Sequence, residues 1–324
     1  MRYRRIATMT SSQTHVVFGA GALGLEIARQ LAESGATVRI ATRSGTATVP
    51  GVEPVKADLA DPDSAIAAAS GTDVIYFCAA PPYQHWVRSF EALQEGAIAA
   101  AQRSGAVLVA AENLYGYGRA GALTEKLPLD ARTRKGAVRA RMSHRLFDAH
   151  AGGDIRAVSG RASDFFGPTV RQSALGDRFW PDLLASKPVN WFGDPDARHS
   201  FTYLPDFAAA LITLGGAPAA WGRAWHVPCP ETRTVREIAT HAAALAGLAP
   251  PRFRRTPRFM LRLVGLAVPA AGEMVEMEYA FAEDFVVGQD DWNRQFNESA
   301  TDWESALAAT VKDWRLKLSD ISAT

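Results

Sequence analysis

The run Val16-Val17-Phe18-Gly19-Ala20-Gly21-Ala22-Leu23-Gly24 sets three glycines at the G-x-G-x-x-G spacing. Where such a run leaves a strand and opens a helix, each glycine has a separate task. Gly19 permits the tight turn, Gly21 lets backbone approach a diphosphate, and Gly24 lets helix and strand pack closely. The free N–H groups and dipole at the helix start then attract negative charge. Gly19, Gly21, Ala22, Leu23 and Gly24 are therefore the expected dinucleotide loop. About 20 residues further on, NAD-selective sites carry a carboxylate for the ribose 2′-hydroxyl. This chain has Thr42, Arg43 and Ser44 there instead. A guanidinium with two hydroxyls suits a 2′-phosphate, which favours NADP over NAD.

A second group of residues has the chemistry for proton transfer. Tyr83, Tyr115 and Tyr117 fall on segments expected at the carboxyl ends of strands, where doubly wound sheets bind ligands. A phenol can give or take a proton, and the Asn113 amide can donate to a developing oxyanion. Tyr115 and Asn113 are the catalytic candidates; Arg119 follows Tyr115 at a spacing of four. Pro81-Pro82-Tyr83-Gln84-His85-Trp86 offers an aromatic wall through Tyr83 and Trp86, and Tyr117, Phe165, Phe166, Trp191 and Phe192 add further aromatic surface. Arg198 suits an anionic or polar substrate, whereas His199 reads as a surface histidine. Each aromatic residue also has a plainer reading as packing.

These residues need a scaffold, and the alternation along the chain supplies one. Strands are expected at 15–18, 36–41, 52–57, 73–78, 106–110 and 154–159, and helices at 22–32, 61–70, 86–104 and 134–151. Leu23, Ile27 and Leu31 form a helical apolar stripe. Strands apolar on consecutive positions, alternating with helices, predict an α/β fold: a doubly wound parallel sheet with both faces covered. Residues 1–14 read as a flexible leader and 15–165 as the dinucleotide-binding domain. Residues 166–324 read as a smaller C-terminal α/β substrate lobe, with segments returning to the first domain.

Composition removes other classes. The 324 residues carry 35 Lys and Arg against 34 Asp and Glu, a net charge of +1, which does not suit a dedicated nucleic-acid binder. Two cysteines, Cys78 and Cys229, provide neither a disulfide framework nor a thiolate metal site. No apolar stretch has the length of a membrane span or signal peptide, so a cytoplasmic protein without membrane or metal partners is expected. A G-x-S-x-G elbow is missing, which argues against hydrolysis. Arg132, Arg134, Lys135, Arg139, Arg141 and Arg145 read as a solvated helix surface, and Glu273, Glu276, Glu278, Glu283 and Asp284 as a polar one.

Taken in order, these segments resemble the extended short-chain dehydrogenase/reductases, the NAD(P)-dependent epimerase/dehydratase-like proteins. The resemblance runs through Asp58-Leu59, Ala79-Ala80-Pro81, Asn113 to Gly118, Gly160 to Pro168, Arg198 to Asp206 and Thr301 to Trp314. It implies that Asp58 and Leu59 meet the adenine, that Ala79, Ala80 and Pro81 pass the ribose, and that Arg161 borders the nicotinamide. By the same resemblance Asp164, Phe165 and Phe166 lie at the substrate, and a homodimer is allowed. One feature departs from the family. The chain contains no Tyr-x-x-x-Lys; Gly136 and Ala140 stand at those two positions and Asn113 at the serine position. The chain thus resembles the atypical branch. The expected function is an NADP-dependent oxidoreductase acting on a small carbonyl or alcohol compound through a non-standard proton donor. The alternatives are a redox-responsive nucleotide-binding regulator without turnover, and a nucleotide-sugar-type epimerase or isomerase.

Overall fold

In the computed structural model, residues 13–255, 276 and 278–322 are described. They form two compact units, the first made of 13–117, 129–162 and 207–227, the second of 118–128, 163–206, 228–255, 276 and 278–322. The chain therefore crosses between the units several times.

The first unit is a seven-stranded, wholly parallel sheet. Its strands are β1 (Thr14–Phe18), β2 (Thr37–Thr42), β3 (Val52–Lys56), β4 (Val74–Phe77), β5 (Val107–Asn113), β7 (Arg156–Ala162) and β12 (Ala224–His226), in spatial order β12-β7-β5-β4-β1-β2-β3. Helices α1 (Ala22–Glu33), α2 (Pro62–Ala68), α3 (Trp86–Ser104) and α4 (Arg134–Ala151) make the crossovers. The expected doubly wound sheet is thus present, with the order reversing between β1 and β4. A crevice at the carboxyl ends of those two strands is the ligand position such sheets create. Four consecutive positions of β4 are buried, as double-sided cover requires.

Local chemistry sets the helix limits. The Asp61 side chain accepts from Asp63 N–H ahead of Pro62 in the first turn of α2, and Thr133 accepts from Gly136 N–H to start α4. Among the limits that differ from the sequence reading, three bear on the site and its support. β1 begins at Thr14, inside the expected leader, because Thr14 N–H donates to Asp73 at 2.8 Å. β5 runs on to Asn113, and β7 runs on to Ala162. The extra residues include the polar Glu112, Asn113 and Arg161, yet they pair in register, with Glu112 opposite Arg161 and Asn113 opposite Ala162.

The second unit holds small sheets. β6 (Gly121–Leu123), β10 (Arg198–His199), β13 (Arg233–Thr234) and β15 (Phe285–Val287) form one sheet in the order β13-β10-β15-β6. β8 (Asp164–Phe166) pairs with β11 (Phe201–Tyr203), and β9 (Val189–Trp191) with β14 (Phe253–Arg255). The helices at Trp180–Leu184, Val235–Leu245 and Trp303–Ser322 belong to this unit. No described helix is long and apolar enough to cross a membrane.

Candidate functional site: a dinucleotide loop and a tyrosine turn

The glycine loop is built at the switch point between β1 and β4. Gly19 has φ of +106°, a conformation that favours glycine, and a Cβ there would lie 2.7 Å from Ala79 Cα. The segments leaving β1 and β4 therefore touch, with Gly19 N–H donating to Ala41 and Cys78 N–H to Phe18. A Cβ at Gly24 would drive into the Gly19 carbonyl, so α1 sits hard against the turn. At Gly21 the situation reverses: a Cβ would meet no atom within 4 Å among the described residues. Gly21 is also the N-cap of α1, with no side-chain cap and no acidic residue in the first turn. The loop thus leaves open space over a helix start whose N–H groups lack side-chain partners, which fits a diphosphate.

Beyond β2 the chain folds into a turn lined with hydroxyls. Thr42 Oγ1 accepts from Gly45 N–H, and the Thr42, Ser44 and Thr46 hydroxyls lie within 3.3 Å of one another in sequence. Arg43 is exposed beside them. After β3, Asp58 is exposed, and its carboxylate caps Ala60 N–H at 3.0 Å. Leu59, expected at the adenine, is buried in the core, and its backbone carbonyl lies against Gly96 of α3. Ala79, Ala80 and Pro81 stay at least partly accessible as they leave β4.

Asn113 closes β5, and its Oδ1 accepts from Tyr115 N–H at 3.2 Å, which turns the chain. The turn Tyr115–Tyr117 then lies across α4. Tyr115 is half-buried, with its ring 6.1 Å from Trp86; Trp86 in turn meets Tyr83 at 5.0 Å and Phe90 at 4.9 Å. Tyr83, Trp86 and Tyr115 are therefore brought together. Tyr117 is not with them. Its ring is buried; its hydroxyl accepts from Arg161 at 2.9 Å and lies 2.8 Å from His226 Nε2. The His226 tautomer sets whether that hydroxyl donates to Nε2 or accepts from it. Arg161, expected beside the nicotinamide, is the centre of this buried network. Its Nε donates to Glu112 at 2.8 Å and its Nη2 to Ser143 at 2.7 Å. Burial opposes the Arg161 charge, but Glu112 and Tyr117 more than offset it and hold the group above its ordinary value.

The basic run on α4 also needs correction. Arg141 and Arg145 are exposed and pair with Glu91 and Glu95 of α3, but Lys135 and Arg139 are buried. Lys135 Nζ lies 4.3 Å from the Tyr83 ring centre, and the Arg139 guanidinium 5.0 Å from that of Phe90. One turn apart on the same face, both cations point toward the aromatic ladder of α3. Aromatic residues spaced 83, 86 and 90 opposite cations spaced 135 and 139 were the available signal, split across two distant segments.

Comparison with known proteins now decides the family. The model of the NAD dependent epimerase/dehydratase family matches residues 16–226. The chain belongs to the NAD dependent epimerase/dehydratase family. Solved structures of similar fold include an epimerase from Methanothermobacter thermautotrophicus, at TM-score 0.76 and 18% identity over 100% of this chain and 99% of that one. They also include the UDP-glucuronic acid 4-epimerase of Bacillus cereus in complex with NAD, at TM-score 0.74 and 16% identity, covering 94% of this chain and 99% of that one. A third is the dTDP-glucose 4,6-dehydratase of Bacillus anthracis in complex with NAD, at TM-score 0.75 and 14% identity, over 95% and 98%. No curated protein matches.

Gly136 and Ala140 of α4 both pack against the tyrosine turn. A Cβ on Gly136 would lie 2.5 Å from Ala131 Cβ and 2.6 Å from the Tyr115 carbonyl oxygen. A Cβ on Gly116 would in turn stand 3.5 Å from Ala140 N. The tyrosine turn thus leaves no room for a side chain at Gly136 and lies in ordinary contact with the backbone of Ala140.

In the second unit, Asp164 accepts from His199 Nε2 at 3.0 Å. His199 is buried among Phe201, Phe281 and Phe285, so the surface reading of this residue is overturned. Phe166 is buried against Tyr203 and Trp303, whereas Phe165 keeps partial exposure. Trp191 is buried; Phe192 is half-buried. Arg198 is exposed and ion-paired with Asp284 at 2.8 Å, so one member of the acidic stretch has a specific partner. Glu273 of that stretch lies outside the described residues. Among the described residues no cluster of His, Cys, Asp and Glu is arranged to hold a metal.

Proposed function

We propose that this chain is an NADP-dependent oxidoreductase that transfers hydride at a carbonyl or alcohol carbon of a small substrate, with Tyr115 as the proton carrier. The observation that carries the reading is the open space at Gly21 over the uncapped start of α1. A diphosphate there would be held by the N–H groups of the Gly19–Gly24 segment. Thr42, Arg43 and Ser44 would hold a 2′-phosphate, with Asp58 near the adenosine and Ala79 to Pro81 along the ribose. The bound dinucleotide would supply or accept the hydride. Tyr115 would give its phenolic proton to the substrate oxygen as the carbon takes hydride, or receive it in the reverse direction. Because Asn113 Oδ1 accepts from the turn, its NH2 end is the one suited to donate to that oxygen.

A second reading, a nucleotide-sugar epimerase that regenerates its cofactor each cycle, is favoured by what the solved relatives act on: UDP-glucuronic acid in one and dTDP-glucose in another. Fluorescence titration with NADPH and NADH is the first test; failure of both to bind overturns both readings. Net NADPH consumption with a panel of aldehydes and ketones supports the first, and epimerisation of nucleotide sugars without net consumption the second.

A further inference from the structure

The described residues of the first unit bury three cations, Lys135, Arg139 and Arg161, against one carboxylate, Glu112. That carboxylate is engaged by Arg161 Nε and by the Ser143 hydroxyl. Arg139 is left with an incomplete set of partners. Its Nη2 donates to the Ala111 carbonyl at 3.0 Å, its Nη1 approaches Met142 Sδ at 4.0 Å, and its Nε has no acceptor among the described residues. A buried guanidinium that forms no ion pair of its own is unusual, since an uncompensated buried charge is costly. Such a group is retained where its field acts on something.

We propose that Arg139 is the positioning cation for Tyr115, holding its phenol more acidic than an ordinary tyrosine. The proposal deepens the reading of Tyr115 as proton carrier, and it moves the tuning cation from a motif lysine to a neighbouring position of α4. Four structural facts support it. The Tyr115 backbone rests on Gly136, one turn before Ala140, and Arg139 directly precedes Ala140. The Ala111 carbonyl that holds Arg139 lies on the same strand that ends in Asn113 and delivers the turn. The Tyr115 ring joins the Trp86 and Phe90 stack over which Arg139 sits. Finally, the two charges are coupled: burial and the Arg161 charge push Arg139 below its ordinary value, while Glu112 and, more weakly, a Tyr115 phenolate pull it back up. That attraction is mutual. Other charged groups around the turn are Lys135 on α4, which adds to the same positive field, and Arg161 on β7, which is ion-paired with Glu112 on β5. Arg119, the cation at the four-residue spacing, is exposed and has no part in the proposal.

The test needs neither substrate nor cofactor. Tyrosinate absorbance of the full chain is followed against pH, and subtraction of the Tyr115→Phe titration isolates the one phenol. The wild-type difference is expected to titrate below the usual value of about 10. Arg139→Met should raise it by at least about one unit, a tenfold loss of phenolate at a given pH, while Arg139→Lys should keep most of the depression. Equal shifts in the Met and Lys variants would reduce Arg139 to a packing role and overturn the proposal. A wild-type Tyr115 that titrates at or above about 10 overturns it without any Arg139 variant. NADPH or NADH binding measured on the same samples keeps this outcome separate from failure of the dinucleotide reading.

Discussion

One exposed side chain among those assigned gives the simplest discrimination. Arg43 stands free beside the Thr42–Thr46 hydroxyl turn, so its contribution to a bound dinucleotide is electrostatic and local. Replacing it with aspartate exchanges a partner for a 2′-phosphate with a partner for a 2′-hydroxyl. Arg43→Asp is expected to weaken NADPH by about tenfold or more while leaving NADH unchanged or tighter. Parallel titrations check this, and an unaltered NADPH-to-NADH ratio would move the 2′-phosphate elsewhere. Stability should barely change, because the residue makes no buried contact. Legibility divides along the same line. Glycine, arginine and hydroxyl residues in the cofactor loops announce themselves because their task is local. Tyr117 and Tyr115 look alike in the sequence, yet one phenol is buried between Arg161 and His226 and the other belongs to a half-buried residue stacked on Trp86. That difference comes from partners 44 and 109 residues away, and local pattern carries no trace of it.

At the level of elements, β5, β7 and α4 are joined by one buried ion pair and its hydrogen bonds. The Glu112 and Arg161 side chains are each 6% exposed, and they close the pairing that extends both strands beyond the apolar run. The sequence reading ends β5 early because it stops where hydrophobicity stops. A buried pair can prolong a strand through polar residues only if both partners arrive together. The same limit applies to α4, whose bounds are legible while its inward face is not. Breaking the pair should therefore be severe. Glu112→Gln leaves Arg161, Arg139 and Lys135 without a buried carboxylate and is expected to cost about 3–5 kcal/mol of stability. Arg141→Ala, which removes an exposed pair between α3 and α4, should cost about 1 kcal/mol or less. Urea midpoints of the two variants check the contrast; equal losses would mean that the Glu112 site collapses or hydrates without penalty.

For the whole molecule, one group bearing on acid stability lies at the amino end of the central strand, away from the cofactor loops. His15 is buried on β1; its ring stacks on Tyr76 at 5.9 Å, and its Nε2 has no hydrogen-bond partner among the described residues. Burial lowers its value from 6.5 to about 4, with Asp73 opposing only in part. The sign follows directly. Above pH 6.5 the ring is neutral in both folded and unfolded chains, and stability is whole. Between 6.5 and about 4 the unfolded chain binds a proton that the folded chain refuses, so stability falls as pH falls. A shift of about 2.5 units corresponds to about 3 kcal/mol, with most of it lost by pH 4.5. His15→Phe keeps a ring in the stack and removes the titration. Its urea midpoint should depend less steeply on pH between 7 and 4.5, narrowing the loss by about 2–3 kcal/mol relative to wild type. Carboxylates elsewhere contribute equally to both chains and cancel in that difference. If the two proteins lose stability in parallel over this interval, the His15 ring is protonated in the folded state, and the buried amino end of the sheet admits water or a counter-charge.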